Sequence, residues 1–308
     1  MRGARWVGGG IALAALAALG YGWSRDPRAP RPQPVAAIAT TGKQYESTHY
    51  VVTSTATAQQ TQSVLAAAEA LRTAYAQSFD IKDEPGRGKY RLVLYGSRAE
   101  FRSHNRSSTW AEAYYLAPTC YAYYAEGAAN PYHWMMHEAT HQLNHELAGL
   151  RPAKWVNEGL ASYFGASRLQ DGRLDVGSAD TNAYPIWWLG DLNLSGDVQA
   201  DIRDGRIVAL RHLIASDDRA DINRRFNAYY IGYWSLTHFL FHHEDGKYAA
   251  AFRALIRDGG TLADFERRIG PVDTIQAEWY EHLLTAAAGD EPIQVESVAP
   301  AGTRAGAG

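Results

Sequence analysis

The decapeptide HEATHQLNHE, residues 137–146, spaces three histidines four residues apart and interleaves two glutamates. On an α-helix His137 and His141 are one turn and about 400° apart, so both imidazoles can reach one ion. Glu138 is rotated from His137 by about 100°. That takes it away from easy ligation and toward a water held by the ion, where it is placed as a general base. A tetrahedral catalytic zinc takes three protein ligands and leaves a fourth position to water. Glu158 is the leading third candidate. It lies in KWVNEGLASYF (154–164), a second apolar-periodic helix joined through a short GLRPAK connection that permits an antiparallel return. The other candidate is His145, but i, i+4 and i+8 on a straight helix spread over about 12 Å, too far to close around one ion. His145 therefore reads as a surface or supporting residue.

These residues need a scaffold, and the flanking periodicity supplies one. THYVVTST (48–55) and KYRLVLYG (89–96) read as strands. The run from Ala58 to Phe79 reads as a helix with Val64, Leu65, Ala68, Leu71 and Tyr75 on one stripe. SRAEF opens a short helix with Ser97 as N-cap and Glu100 at the capping-box position. The aromatic-rich stretch from Tyr114 to Tyr124 suits a strand or hairpin beside a groove. From Pro131 onward nearly everything looks helical. Strands first and helices afterwards predict an α+β domain over 45–289, with a strand-containing lobe (45–150) that carries the HExxH helix and a mostly helical lobe (151–289).

The chain ends read differently. Arg2 and Arg5 precede an apolar run from Trp6 to Trp23, closed by Ser24, Arg25 and Asp26. That is the pattern of an export signal over residues 1–24. Its roughly 18 residues sit at the lower limit for spanning a bilayer. No clean small-x-small cleavage site follows, which favours an uncleaved anchor over a cleaved signal peptide. The basic residues predict a cytoplasmic N-terminus with the rest outside: at the outer face of a bacterial inner membrane or in the periplasm, or secreted if the signal is cleaved. Prolines in RDPRAPRPQP (25–34) predict an extended linker over 25–44. The Ala/Gly/Pro composition of 290–308 predicts a disordered tail. A net charge of −3 offers no broad basic surface for nucleic acid. Cys120 is the sole cysteine, so there is no internal disulfide, and it reads as a buried small hydrophobe.

HEATH followed by WVNEGLASYF resembles the gluzincin metallopeptidases. The second motif is similar to the WLNEGFA-like segment of the aminopeptidase N family. The upstream HYVVTST and LVLYGSRAEF segments look like the peptidase-MA-like domains of bacterial exported proteins. The resemblance covers roughly residues 45–245. It implies a zincin-like fold, one zinc per chain held by His137, His141 and Glu158, and Glu138 as base and proton shuttle. The longer metzincin motif does not fit, because its Gly and third His would fall at Asn144 and Leu147. By the same resemblance Asn157 orients a ligand imidazole, although an exposed helix polar residue is an equal reading. Ser162 stands where thermolysin-like members carry a carboxylate, a departure from their pattern.

A donor for the developing oxyanion is also expected. NAYYIGYWSLTHFL (227–240) resembles the Y-x-x-x-W segment of peptidase-MA-like domains, with Tyr230 at the matching tyrosine. Tyr230, Trp234 and His238 share one helix face, so either Tyr230 or His238 can point into a cleft. His242 and His243 read as a solvated helix end. In zincins of this kind an extended peptide commonly pairs with an edge strand before the HExxH helix, and PTCYAYYAEG (118–127) occupies that place, a core hairpin being the alternative. Tyr184, Trp187 and Trp188 could line a subsite or belong to the core. No GxMEN-like exopeptidase signature is present. The expectation is an envelope zinc hydrolase cleaving amide bonds of a peptide or protein substrate. The alternatives are a catalytically silent gluzincin-fold binding or scaffold module and a metal-free interaction protein.

Overall fold

In the alternating segments YVVTS and YRLVLY every second side chain is buried, as a strand with one face on a core requires. The computed structural model describes residues 42–84, 86–105, 111–215 and 218–288. The apolar segment 1–24, the Pro-rich stretch 25–34 and the tail 290–308 lie outside the described residues. Among the described residues no helix is long and apolar enough to cross a membrane.

Five strands form one sheet: β1 (Lys43–Glu46), β2 (Tyr50–Ser54), β3 (Tyr90–Tyr95), β4 (Tyr114–Leu116) and β5 (Thr119–Tyr123), in the order β1-β2-β3-β5-β4. β1 begins inside the stretch expected to be linker. β2, β3 and β5 run parallel, whereas β1 and β4 are antiparallel to their neighbours. Parallel neighbours need a crossover, and α1 (Ala58–Ser78), started by a Thr57/Gln60 capping box, provides the one between β2 and β3. α2 (Arg98–His104) follows β3. Its Ser97 cap accepts the Glu100 N–H at 3.2 Å, while the Glu100 carboxylate turns to the Thr55 hydroxyl and the Gly96 N–H.

The expected edge strand requires correction. β5 sits inside the sheet between β3 and β4, and β4 is the edge. The approach to β4 is held by the buried Glu112 carboxylate, which accepts from Arg98 Nε at 2.6 Å, Tyr123 OH at 2.7 Å and Arg102 at 3.3 Å. Burial raises the Glu112 pKa, but Arg98, Tyr123 and Arg102 outweigh it and hold it below its ordinary value. A depressed carboxylate contributes stability above its unfolded pKa, about 4.3, and loses it as pH falls through the folded value. Glu112→Gln is therefore expected to lower the melting temperature at pH 7, with the gap from the parent closing below about pH 4. An equal gap at both pH values would contradict this.

Beyond the sheet, α3 (His133–Gln142) widens into a π-helical turn, Leu143–Leu147, before α4 (Lys154–Gly165). β6 (Ser167–Gln170) and β7 (Arg173–Ala179) then form a hairpin in the stretch that reads as mostly helical. Its turn is Asp171-Gly172, both with positive φ. A two-residue Asp-Gly turn is a strong hairpin signal, and it was present in the sequence. The remainder is helical: α5 (Val198–Arg203), α6 (Leu210–Ala215), α7 (Arg219–Arg224), α8 (Phe226–His242), α9 (Ala249–Asp258), α10 (Leu262–Arg268) and α11 (Val272–Ala288). The fold is α+β, a strand-containing N-terminal lobe followed by a mostly helical region.

α8 is buried around nearly its whole circumference, as an apolar helix without a polar face must be. α4 packs between α3 and α8, and two glycines permit it. A Cβ on Gly165 would stand 3.1 Å from the His137 backbone, and one on Gly159 would meet Thr237 Oγ1 at 2.3 Å and the Tyr233 carbonyl at 3.0 Å. Gly159→Ala is expected to destabilise the protein by about 1–3 kcal/mol through overpacking, despite alanine's higher helix propensity. A thermal melt at or above the parent's would contradict that packing.

Candidate metal centre

α3 and α4 run antiparallel: Gly165, at the end of α4, touches His137, and Asn157, near its start, bonds Asn144 beyond α3. This pairing brings Glu158 opposite both histidines. His137 Nε2 and His141 Nε2 lie 3.5 and 3.6 Å from Glu158 Oε2. Neither separation makes a good hydrogen bond, and none of the three buried atoms has a hydrogen-bond partner in the protein. Buried polar atoms rarely go unsatisfied. The separations are close to the roughly 3.4 Å edge of a tetrahedron with metal–ligand bonds of about 2.1 Å. The donor set and its unpartnered atoms thus fit a divalent cation.

Glu138 is the second carboxylate at this point. The ligand-capable atoms of His137, Glu138 and His141 all lie within 4.8 Å of one another, and this buried group could hold a metal ion. Glu138 Oε2 accepts the Tyr115 N–H of β4 at 2.9 Å, leaving Oε1 buried and unpartnered. Glu158 Oε2, nearly equidistant from both imidazoles and without another bond, is the better matched ligand atom.

The electrostatics separate the two carboxylates. Burial raises the Glu138 pKa to about 7, with His141 opposing and Glu158 adding to it. Burial would raise Glu158 too, but His141 and His137 pull it well below the usual carboxylate range. Burial drives His137 down to about 4. Burial also disfavours the charged form of His141, but the Glu158 carboxylate reverses this and raises it to about 9.

Tyr230 of α8 is buried with its ring centroid 6.4 Å from that of His137. Burial, reinforced by Glu158, raises its phenol pKa well above the ordinary value, so the hydroxyl remains a neutral donor. His238 is not its equal. Its Nε2 bonds the Gly177 carbonyl at 3.1 Å and its Nδ1 bonds His282 at 2.9 Å. Two helical turns, about 12 Å, separate it from Tyr230 along α8. Nor are His242 and His243 a solvated end, since both are half-buried and His242 Nε2 bonds Tyr163 OH at 2.6 Å.

His145 is not part of the metal-capable group, and its Nδ1 lies 3.2 Å from Tyr115 OH. Ser162 is buried with an unpartnered Oγ. Tyr184 lies between Trp134 and Tyr230, at 5.6 and 5.7 Å. Trp187 is 39% exposed, the one exposed large hydrophobic side chain among the described residues. Trp188 instead lines a cavity of about 460 Å³ with Phe226, Ile231 and Arg225. Tyr184 and Trp187 meet edge to face with ring centroids 5.7 Å apart, so two of the three aromatics share a cluster and Trp188 stands apart. Cys120 is free and buried, as expected.

Two neighbours of the site were not singled out from the sequence. Tyr115 contributes through its backbone, which residue type does not announce. His133 begins α3 one turn before His137. Its Nδ1 bonds the Asn130 carbonyl at 2.8 Å, its Nε2 is buried and unpartnered, and burial lowers its pKa to about 4. The i, i+4 spacing from His137 was the available signal.

Fold and site together define an α+β protein with a buried His-Glu-His group suited to a metal ion. A family model described as a protein of unknown function (DUF1570) matches residues 133–258, from the first residue of α3 to the last of α9. The matched stretch contains His137, Glu138, His141, Glu158 and Tyr230. No curated protein matches the chain.

Proposed function

We propose that this chain is a zinc-dependent hydrolase of gluzincin type, a peptidase, with one ion held by His137, His141 and Glu158. The observation that carries the reading is the convergence of three buried, unpartnered ligand atoms beside the free Oε1 of Glu138. When bound, the ion supplies Lewis-acid polarisation of a carbonyl and lowers the pKa of a water. The protein supplies the proton handling. Glu138 Oε1 takes a proton from the attacking water and passes it to the leaving nitrogen, a role suited to a carboxylate whose pKa lies near neutrality. The Tyr115 N–H holds the other oxygen of that carboxylate and so fixes its direction. Tyr230 OH donates to the substrate oxygen as it gains charge.

A peptide substrate would add antiparallel to the outer edge of β4, whose Tyr115 already reaches Glu138. The N-terminal Arg2, Arg5 and apolar run support an envelope location, anchored if uncleaved. Cleavage of an unfolded protein such as casein should disappear with chelator and return with zinc. Cleavage that survives complete metal removal would contradict the proposal. Tyr230→Phe is expected to lower kcat by about 10²–10³-fold with metal content unchanged. An unaltered kcat would remove Tyr230 from the mechanism.

A further inference from the structure

Arg72, on α1, is the one arginine among the described residues that the fold buries, at 5% exposure. A buried guanidinium needs partners for its donors. Arg72 has them only in part. Its Nη2 donates to Asp83 Oδ1, but Nε, on the same edge of the fork, is buried and has no partner. Arginine commonly pairs with an oxyanion through two parallel N–H bonds from one such edge. Asp83, which is 66% exposed, takes only one of the two.

Further unmatched groups stand next to this edge. Tyr50 and Tyr90 are register partners on β2 and β3, with ring centroids 5.4 Å apart. Both are buried, and neither hydroxyl has a partner. Tyr90 and Arg72 line one cavity of about 200 Å³, whose walls also carry Arg87, Lys89, Asp83 and Glu84. Sites for organic ligands run to roughly 300–1,000 Å³, so this one suits a small ion. Buried polar atoms without partners, gathered at a cavity, call for such an occupant.

The charges give its sign. Arg87 pairs with Glu84 at 2.9 Å and Lys89 with Glu46 at 2.7 Å, and those glutamates are 72% and 62% exposed. Exposed pairs contribute little and exchange readily with solvent ions. Only acids standing in solvent therefore neutralise Arg72, Arg87 and Lys89. His49, also at the cavity, is held apart by Glu69 at 2.7 Å.

We propose that this cavity binds a small tetrahedral oxyanion, free phosphate, to which the Nε–Nη2 edge of Arg72 and the Tyr90 hydroxyl donate, and that Asp83 is the internal carboxylate it displaces. The site is independent of the metal centre, since none of its residues lies within the matched stretch 133–258.

Isothermal titration of sodium phosphate into the full chain, beside sodium chloride of equal ionic strength, tests this. Saturable binding of one phosphate per chain is expected, and none with chloride. Asp83→Asn keeps the side-chain shape and removes the competing charge, so it should tighten phosphate about 2–10-fold. Tyr90→Phe should weaken it about 2–10-fold. Without phosphate that variant should melt no lower than the parent, because the hydroxyl it removes has no partner. Arg72→Lys keeps the charge and loses the fork, and should weaken phosphate about 10–100-fold. Glu158→Ala, altered at the metal centre, should bind phosphate as the parent does. No saturable binding in either the parent or Asp83→Asn would overturn the proposal. Loss of binding in Glu158→Ala would do the same by placing the phosphate at the metal, as would parental affinity in both Tyr90→Phe and Arg72→Lys.

Discussion

Glu138→Gln should keep its metal and lose its turnover. Glutamine has nearly the same shape, and its amide oxygen can still accept the Tyr115 N–H that Glu138 Oε2 accepts at 2.9 Å. The position of Oε1 would then hold an NH2 group, which takes no proton. A positioned general base contributes about 10²–10⁴-fold, so kcat should fall by that order. Stability should move the other way. A carboxylate whose pKa is raised to about 7 by burial costs folding free energy that grows as pH climbs from the unfolded value, about 4.3, and is complete above the folded one, and in the metal-free protein the neutral amide removes that cost. The variant should melt higher than the parent at pH 8, with the difference fading toward pH 5. Turnover at the parental rate, with metal present, would eliminate Glu138 as the base.

Glu158→Ala should have the opposite signature, losing metal before anything else. The substitution removes the ligand atom that stands 3.5 and 3.6 Å from the two imidazole nitrogens, leaving two neutral donors and no anionic one. Loss of a supporting group costs about 10–100-fold in affinity, and loss of a ligand should exceed that. Chelator competition on parent and variant measures it. Undiminished affinity would mean that Glu138, the other carboxylate within reach, completes the site, and the roles of the two glutamates would exchange.

Much of this site was legible because its signals are local. The buried grouping of His137, Glu138 and His141 follows from helix geometry, and the short connection to a second apolar-periodic helix pointed to Glu158. α1, β2 and β3 followed from apolar periodicity of 3.6 and 2. What escaped depends on contacts distant in sequence. PTCYAYYAEG reads as a strand, but only the pairing of β3 with β5 makes it an inner one and passes the edge to β4. Tyr230 and His238 share a helical face, yet α8 is enclosed on every side, so each turn of that face meets a different neighbour. His145 was judged on a straight helix, whereas the helix widens at Leu143. The bond between Asn144 and Asn157 depends on the π-helical turn and has no periodic signal.

The central claim is a zinc ion held between α3 and α4, and metal content per chain tests it most directly. The purified full chain should be dialysed against a weak chelator, checked for folding by circular dichroism and analysed for metals. The account predicts close to one zinc per chain in the parent and clear loss in Glu158→Ala. A folded parent with no zinc, and none taken up on titration, would contradict it and leave HEATHQLNHE as a helix with a polar face.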